Sequence, residues 1–216
     1  MVMLLSTRLT LAYADAHTDE AAAVRQTIAG MVEQNRGNAR NEAILQIAGP
    51  TSPSDVRNAV GVLESYIGAN PDDRYAEMYY GYGLLFLAGD YLKNKNYIKA
   101  AELSKEGFFY IDEAAESSPD NWRLRYLRTR MDAFVPARNG RCVVALKDID
   151  FMTQNGRAPA SLDTMISMMK ARAQKSCGVA DHAAPDQTKQ SGRAAVPFLT
   201  QTEISEVLQA AVGGEA

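Results

Sequence analysis

Ala69-Asn70-Pro71-Asp72-Asp73 and Ser117-Ser118-Pro119-Asp120-Asn121 are the two stretches whose reading decides the fold. Each follows a run with the apolar spacing of an amphipathic helix, and each precedes another such run. Proline has no amide hydrogen and clashes with the carbonyl four residues back, so it stops a helix. At the first turn of the next helix its fixed φ is already suitable. The neighbouring aspartates favour the positive end of the helix that follows. Two such marks in a chain of 216 residues predict stacked helical hairpins.

Outward from these marks the chain continues to read as helix. Ser52-Pro53-Ser54-Asp55 is a further helix start, and Val56, Ala59, Val60, Leu63 and Ile67 recur at three- and four-residue spacing after it. Residues 74–92 and 97–116 form the next pair, divided by the polar turn Lys93-Asn94-Lys95-Asn96. Residues 122–134, 141–154 and 161–175 continue the series, and residues 19–33 and 39–48 precede it. No segment alternates with period two. The expected fold is all-α, an array of antiparallel helical hairpins with no significant sheet.

The positions around the two prolines carry a finer pattern. Twelve residues before them stand Ala59 and Gly107, both small, and eight before them Leu63 and Ile111, both large and apolar. Gly81 lies ten beyond Pro71, and Ala114 five before Pro119, whereas Tyr66 holds the corresponding place before Pro71. This resembles the tetratricopeptide-repeat family, over roughly residues 52–121 with recognisable punctuation and on to 175 as continuing helical pairs. The prolines are 48 residues apart, where the family's repeat is about 34. Arg128-Thr129 also stand where Leu-Gly is expected. The resemblance implies a superhelix whose concave groove binds a peptide or protein partner, with no cofactor and no reaction.

Composition adds bounds. Hydrophobic residues make up 46% and charged residues 23%, and the formal net charge is −3. That balance gives no global case for nucleic acid. No apolar run approaches the roughly 20 residues a membrane span needs. Residues 1–16 end in Ala12-Tyr13-Ala14-Asp15-Ala16 and read as the remnant of a secretory signal peptide; the competing reading is the first helix of a cytosolic protein. Residues 17–178 are the expected helical domain. Residues 179–200 are poor in apolar spacing and read as a flexible linker. Residues 201–216 are a short C-terminal helix and tail, with Thr202 as N-cap and Ile204, Val207, Leu208 and Ala211 on one face.

Three groups stand out as candidate sites. Arg123, Arg125, Arg128 and Arg130 share one helix, with Arg125 and Arg128 on one face and Arg123 and Arg130, a heptad apart, on another. Such a group can grip a partner's carboxylate or phosphate. The competing expectation is pairing within the chain, to Asp112, Glu113, Glu116, Asp120, Asp148 or Asp150. Tyr75, Tyr79, Tyr82 and Phe86 line one face of a glycine-rich helix and could form a pocket between helices or simply pack it. Tyr79, Tyr80 and Tyr82 diverge around the helix, so at least one is expected off the core. Cys142 and Cys177 fall on consecutive helices and are either a disulfide or two buried thiols. His17 and His182 are the two histidines, and no metal site is expected.

No phosphate loop, metalloprotease helix or nucleophile elbow is present, and Gly81-Tyr82-Gly83 lies inside a helix. The expected function is a non-catalytic scaffold or adaptor for a protein or peptide partner in a bacterial cell envelope. The alternative is a small-molecule or hydrophobic-ligand carrier built on the tyrosine helix. The expected compartment is periplasmic, with the cytoplasm as the alternative.

Overall fold

The computed structural model describes residues 5–49, 52–178 and 199–213, with the backbone alone for residues 5–19 and 155. All regular structure among them is helical. The elements are α1 (Leu5–Gln34), α2 (Ala39–Ala48), α3 (Pro53–Ala69), α4 (Arg74–Lys93), α5 (Tyr97–Glu116), α6 (Trp122–Asp132), α7 (Cys142–Thr153) and α8 (Asp163–Ser176). After residues 179–198, α9 (Gln201–Glu203), a π-helical segment (Ile204–Leu208) and α10 (Gln209–Gly213) make one continuous helix. Of the linker expected over 179–200, residues 179–198 with His182 lie outside the described residues, whereas Leu199 is buried and Thr200 caps the C-terminal helix; the tail after Gly213, the side chain of His17 and residues 1–4 also lie outside them. Helix α1 reaches back through Leu5, well before the expected start at residue 19.

The helix starts are built from short polar side chains. Ser52, Asp73, Asn96 and Asn121 each accept a backbone N–H of the following turn, which satisfies donors the helix itself cannot. Pro53 occupies the first turn of α3. Pro71 and Pro119 do not occupy that place in α4 and α6. They sit in the turns, two residues before the caps Asp73 and Asn121, and their part is to end α3 and α5.

Helices adjacent in sequence pack side by side, and the even-numbered ones also touch in series, α2 on α4, α4 on α6 and α6 on α8. Helix α4 therefore has neighbours all round, in α2, α3, α5 and α6. This explains a departure from expectation: Tyr79, Tyr80 and Tyr82 are all buried, although they diverge around the helix. Over residues 75–84 the enclosed helix buries every face. Tyr80 reaches α5, where it donates to Glu106 at 3.3 Å and meets the Tyr110 ring edge-on.

The α4–α5 crossing is set by glycine. A Cβ on Gly81 would fall 2.7 Å from the Gly107 carbonyl oxygen, and one on Gly107 2.8 Å from the Gly81 carbonyl oxygen. Only two residues without Cβ allow the backbones to approach so closely. Gly83 is likewise pressed, by Val60 and Ile47. Gly89, on the same helix, faces open space.

Cys142, opening α7, and Cys177, just after α8, form a disulfide with Cα atoms 5.7 Å apart. It closes a small satellite core with Ala145 and Ala173.

Candidate functional site

Helix α6 holds the arginines, and the structure resolves them into the two faces their spacing predicts. On one face Arg128 grips Asp148 of α7 with two hydrogen bonds, Nε to Oδ2 at 2.7 Å and Nη2 to Oδ1 at 2.9 Å. Arg125 Nη1 donates to the same Asp148 at 2.8 Å. Asp112 of α5 accepts from Arg128 at 3.4 Å and from Arg141 at 2.7 Å through each oxygen. Arg141 also holds Asp132 bidentately at 2.7 and 2.9 Å. Three guanidiniums and three aspartates thus knit α5, α6 and α7 together, with Asp148 and Asp132 almost fully buried. Burial pushes the Asp132 carboxyl up to about 7, against the pull of Arg141. The intramolecular partners Asp112, Glu116 and Asp148 are among those legible beforehand.

The second face of α6 meets the C-terminal helix. Arg130 Nε donates to Glu203 Oε1 at 2.6 Å, and the Tyr126 hydroxyl donates to the same oxygen at 2.8 Å. The other oxygen, Oε2, accepts the Thr200 N–H at 2.8 Å, while Thr200 Oγ1 accepts the Glu203 N–H at 3.2 Å. This is a reciprocal capping box. The helix therefore starts at Thr200, not at the expected Thr202, and its box acid is wholly buried against α6. Further on, Arg123 Nε donates to the Glu206 carbonyl at 2.8 Å.

The far end of the same helix reaches α2. Arg40 Nη1 donates to the Ala211 carbonyl at 2.5 Å, and Asn41 Nδ2 donates to the Val212 carbonyl at 2.7 Å. Arg40 is itself held by both oxygens of Asp73, the cap of α4, at 2.8 Å each. Gln201 meets Thr27 of α1. Between these anchors Ile204, Val207, Leu208 and Ala211 are buried. Residues 199–213 thus bridge α6 and α2 over the layer whose middle member is α4.

The tyrosines belong to the floor beneath this bridge. Tyr79 and Tyr82 of α4 are fully buried and feel both Arg130 and Glu203; desolvation pushes their hydroxyls well above the usual phenol range. Tyr82 donates to the Leu127 carbonyl. Tyr79 Oη and Thr129 Oγ1 are buried without a hydrogen-bond partner among the described residues. Tyr75 sits near the start of α4, where Asn121 Nδ2 donates to its hydroxyl at 3.3 Å. Phe86 stands half-exposed at the edge, with the Tyr82 ring 6.0 Å away. The structure therefore brings Tyr79, Tyr82, Arg130 and Glu203 together and leaves Phe86 outside the group.

Glu203, Arg40 and Asn41 are missing from the residues singled out in the sequence. Thr200-x-x-Glu203 was the available signal, since hydroxyl and carboxylate at that spacing open a helix. Among the described residues no group of three His, Cys, Asp or Glu is placed to hold a metal. No described helix is long and apolar enough to cross a membrane. No protein-family model, curated protein or solved structure matches the chain.

Proposed function

We propose that the chain is a non-catalytic scaffold of tetratricopeptide-like build, which holds a protein or peptide partner on the layer of α2, α4, α6 and α8. The observation that carries the reading is the helix of residues 199–213 spanning from α6 to α2, with polar groups of α6 holding its start and polar groups of α2 its finish. A face that seats a helix is suited in shape and polarity to protein. The disulfide supports an oxidising compartment such as the periplasm of a cell envelope. The signal-like residues 1–16 agree with that placement.

The carrier reading has less behind it. Tyr79 and Tyr82 pack into the core with ring centroids 5.6 Å apart, and Tyr82 spends its hydroxyl on the backbone. Purification of the wild-type chain and of Glu203→Lys, which loosens the C-terminal helix, from the native host, followed by native mass spectrometry, separates the two readings. A retained protein is the expected result. A bound small molecule with no protein retained overturns the scaffold and favours the carrier.

A further inference from the structure

The C-terminal helix makes two kinds of contact with the body. Its apolar stripe, Ile204, Val207, Leu208 and Ala211, is buried. Its two ends are read separately by polar side chains. At the start, the box carboxylate of Glu203 receives Arg130 and Tyr126. At the finish, Arg40 and Asn41 donate to the carbonyls of Ala211 and Val212, in the last described turn of the helix. A guanidinium fixed by Asp73 and aimed at a helix C-terminus complements its negative end. These groups define the direction and opening residue of whatever helix lies there.

We propose that this face is a helix-docking site which the chain's own residues 199–213 occupy in cis. On the scaffold reading, on which this rests, the partner it fits in trans is an amphipathic helix of the same grammar. That helix opens with Ser or Thr, carries Glu three residues later, and has apolar residues one, four, five and eight positions after the Glu. The cis helix is its competitor. A covalently joined segment acts at an effective concentration on the order of millimolar, so the partner meets a guarded site and needs either high affinity or a loosened latch. The Glu203–Arg130 pair decides this recognition, because a buried charge that loses its partner disfavours the docked state strongly.

The test uses a fluorescein-labelled peptide with the sequence of residues 199–213, titrated against the full chain. Two forms are compared, wild type and Glu203→Lys, the latter setting an ammonium against Arg130. The labelled peptide binds Glu203→Lys at least about tenfold tighter than wild type. A peptide with Gln in place of Glu203, or a scrambled peptide of the same composition, binds at least about tenfold more weakly. If circular dichroism shows that Glu203→Lys fails to fold, the wild-type chain carrying a protease site between positions 187 and 188 is cut after folding. Labelled peptide then exchanges with the cut helix. Equal binding to both forms, equal binding of the scrambled peptide, or no exchange into the cut chain overturns the proposal. Native-host purification reads the partner independently of the peptide. A retained partner with no peptide site sinks this inference alone, and a bound peptide with no retained partner counts against the scaffold.

Discussion

Arg130 Nε and Glu203 Oε1 meet at 2.6 Å across 73 residues of chain, with the arginine side chain 4% and the glutamate side chain 0% exposed. Both charges are almost fully removed from water, so each is stabilised by the other. Loss of one partner of such a buried pair costs about 3–5 kcal/mol. Here the loss has a ceiling, because Glu203 belongs to a terminal helix that can leave the surface and recover its hydration.

Arg130→Met is therefore expected to release the C-terminal helix rather than unfold the body. Amide hydrogen exchange reads this directly. Protection of residues 199–213 falls more than tenfold, while the amides of α4 and α5 hold. Arg130→Met combined with Glu203→Leu recovers most of the lost protection, since no charge is left unpaired. Equal loss of protection in α4 and α5 goes against this expectation.

Gly81 and Gly89 make a contrasting pair on one helix. Replacing helical glycine by alanine gains up to about 1 kcal/mol where there is room. Gly89 faces open space, so Gly89→Ala is expected to raise stability by up to that amount. At Gly81 the new methyl meets the Gly107 carbonyl oxygen at 2.7 Å. Overpacking of this kind costs about 1–3 kcal/mol, so Gly81→Ala lowers stability despite its better propensity. Urea denaturation of the two variants checks both signs.

The contrast between these glycines also marks how far the sequence could be read. The turns at Pro71 and Pro119 and the residues Ala59, Gly81 and Gly107 are visible because helix ends and close crossings constrain residue type locally. The two faces of α6 follow from spacing alone: Arg125 and Arg128 share Asp148, whereas Arg123 and Arg130 both meet the C-terminal helix. What could not be read was the partner on that second face. Glu203 lies beyond a stretch with no helical stripe, and nothing local says that the chain returns. The burial of Tyr80 was hidden for a related reason, since it depends on how many helices surround α4.

The Cys142–Cys177 bridge closes a sequence separation of 35 residues. Loop-closure entropy for a loop of that order is worth about 3–4 kcal/mol. Reduction, or Cys142→Ala with Cys177→Ala, is expected to lower stability by roughly 2–4 kcal/mol and to loosen α8 first, because the bridge anchors that helix's C-terminal end to α7. Denaturation with and without reductant measures the loss. A midpoint unmoved by reductant contradicts it.

Asp132 gives the fold a pH dependence whose sign can be worked out. Burial raises its carboxyl from the ordinary value of 3.8 to about 7 in the folded state. Between those values the folded chain holds more protons than the unfolded chain, so stability falls as pH rises. Wild type is therefore expected to lose more stability between pH 5 and pH 8 than Asp132→Asn, which has no such proton to lose. Urea midpoints of both forms at the two pH values test this, and parallel changes rule it out.

The most direct test of the central claim is photo-cross-linking in the native host. An azidophenylalanine replaces Tyr126, beneath Glu203, or one of two exposed residues on the odd-numbered helices, Phe109 of α5 and Val143 of α7. The wild-type chain is expected to cross-link position 126 to its own residues 199–213. With Glu203→Lys, position 126 captures the protein partner, while positions 109 and 143 stay silent. Partner cross-links at 109 or 143 and none at 126 would contradict the account.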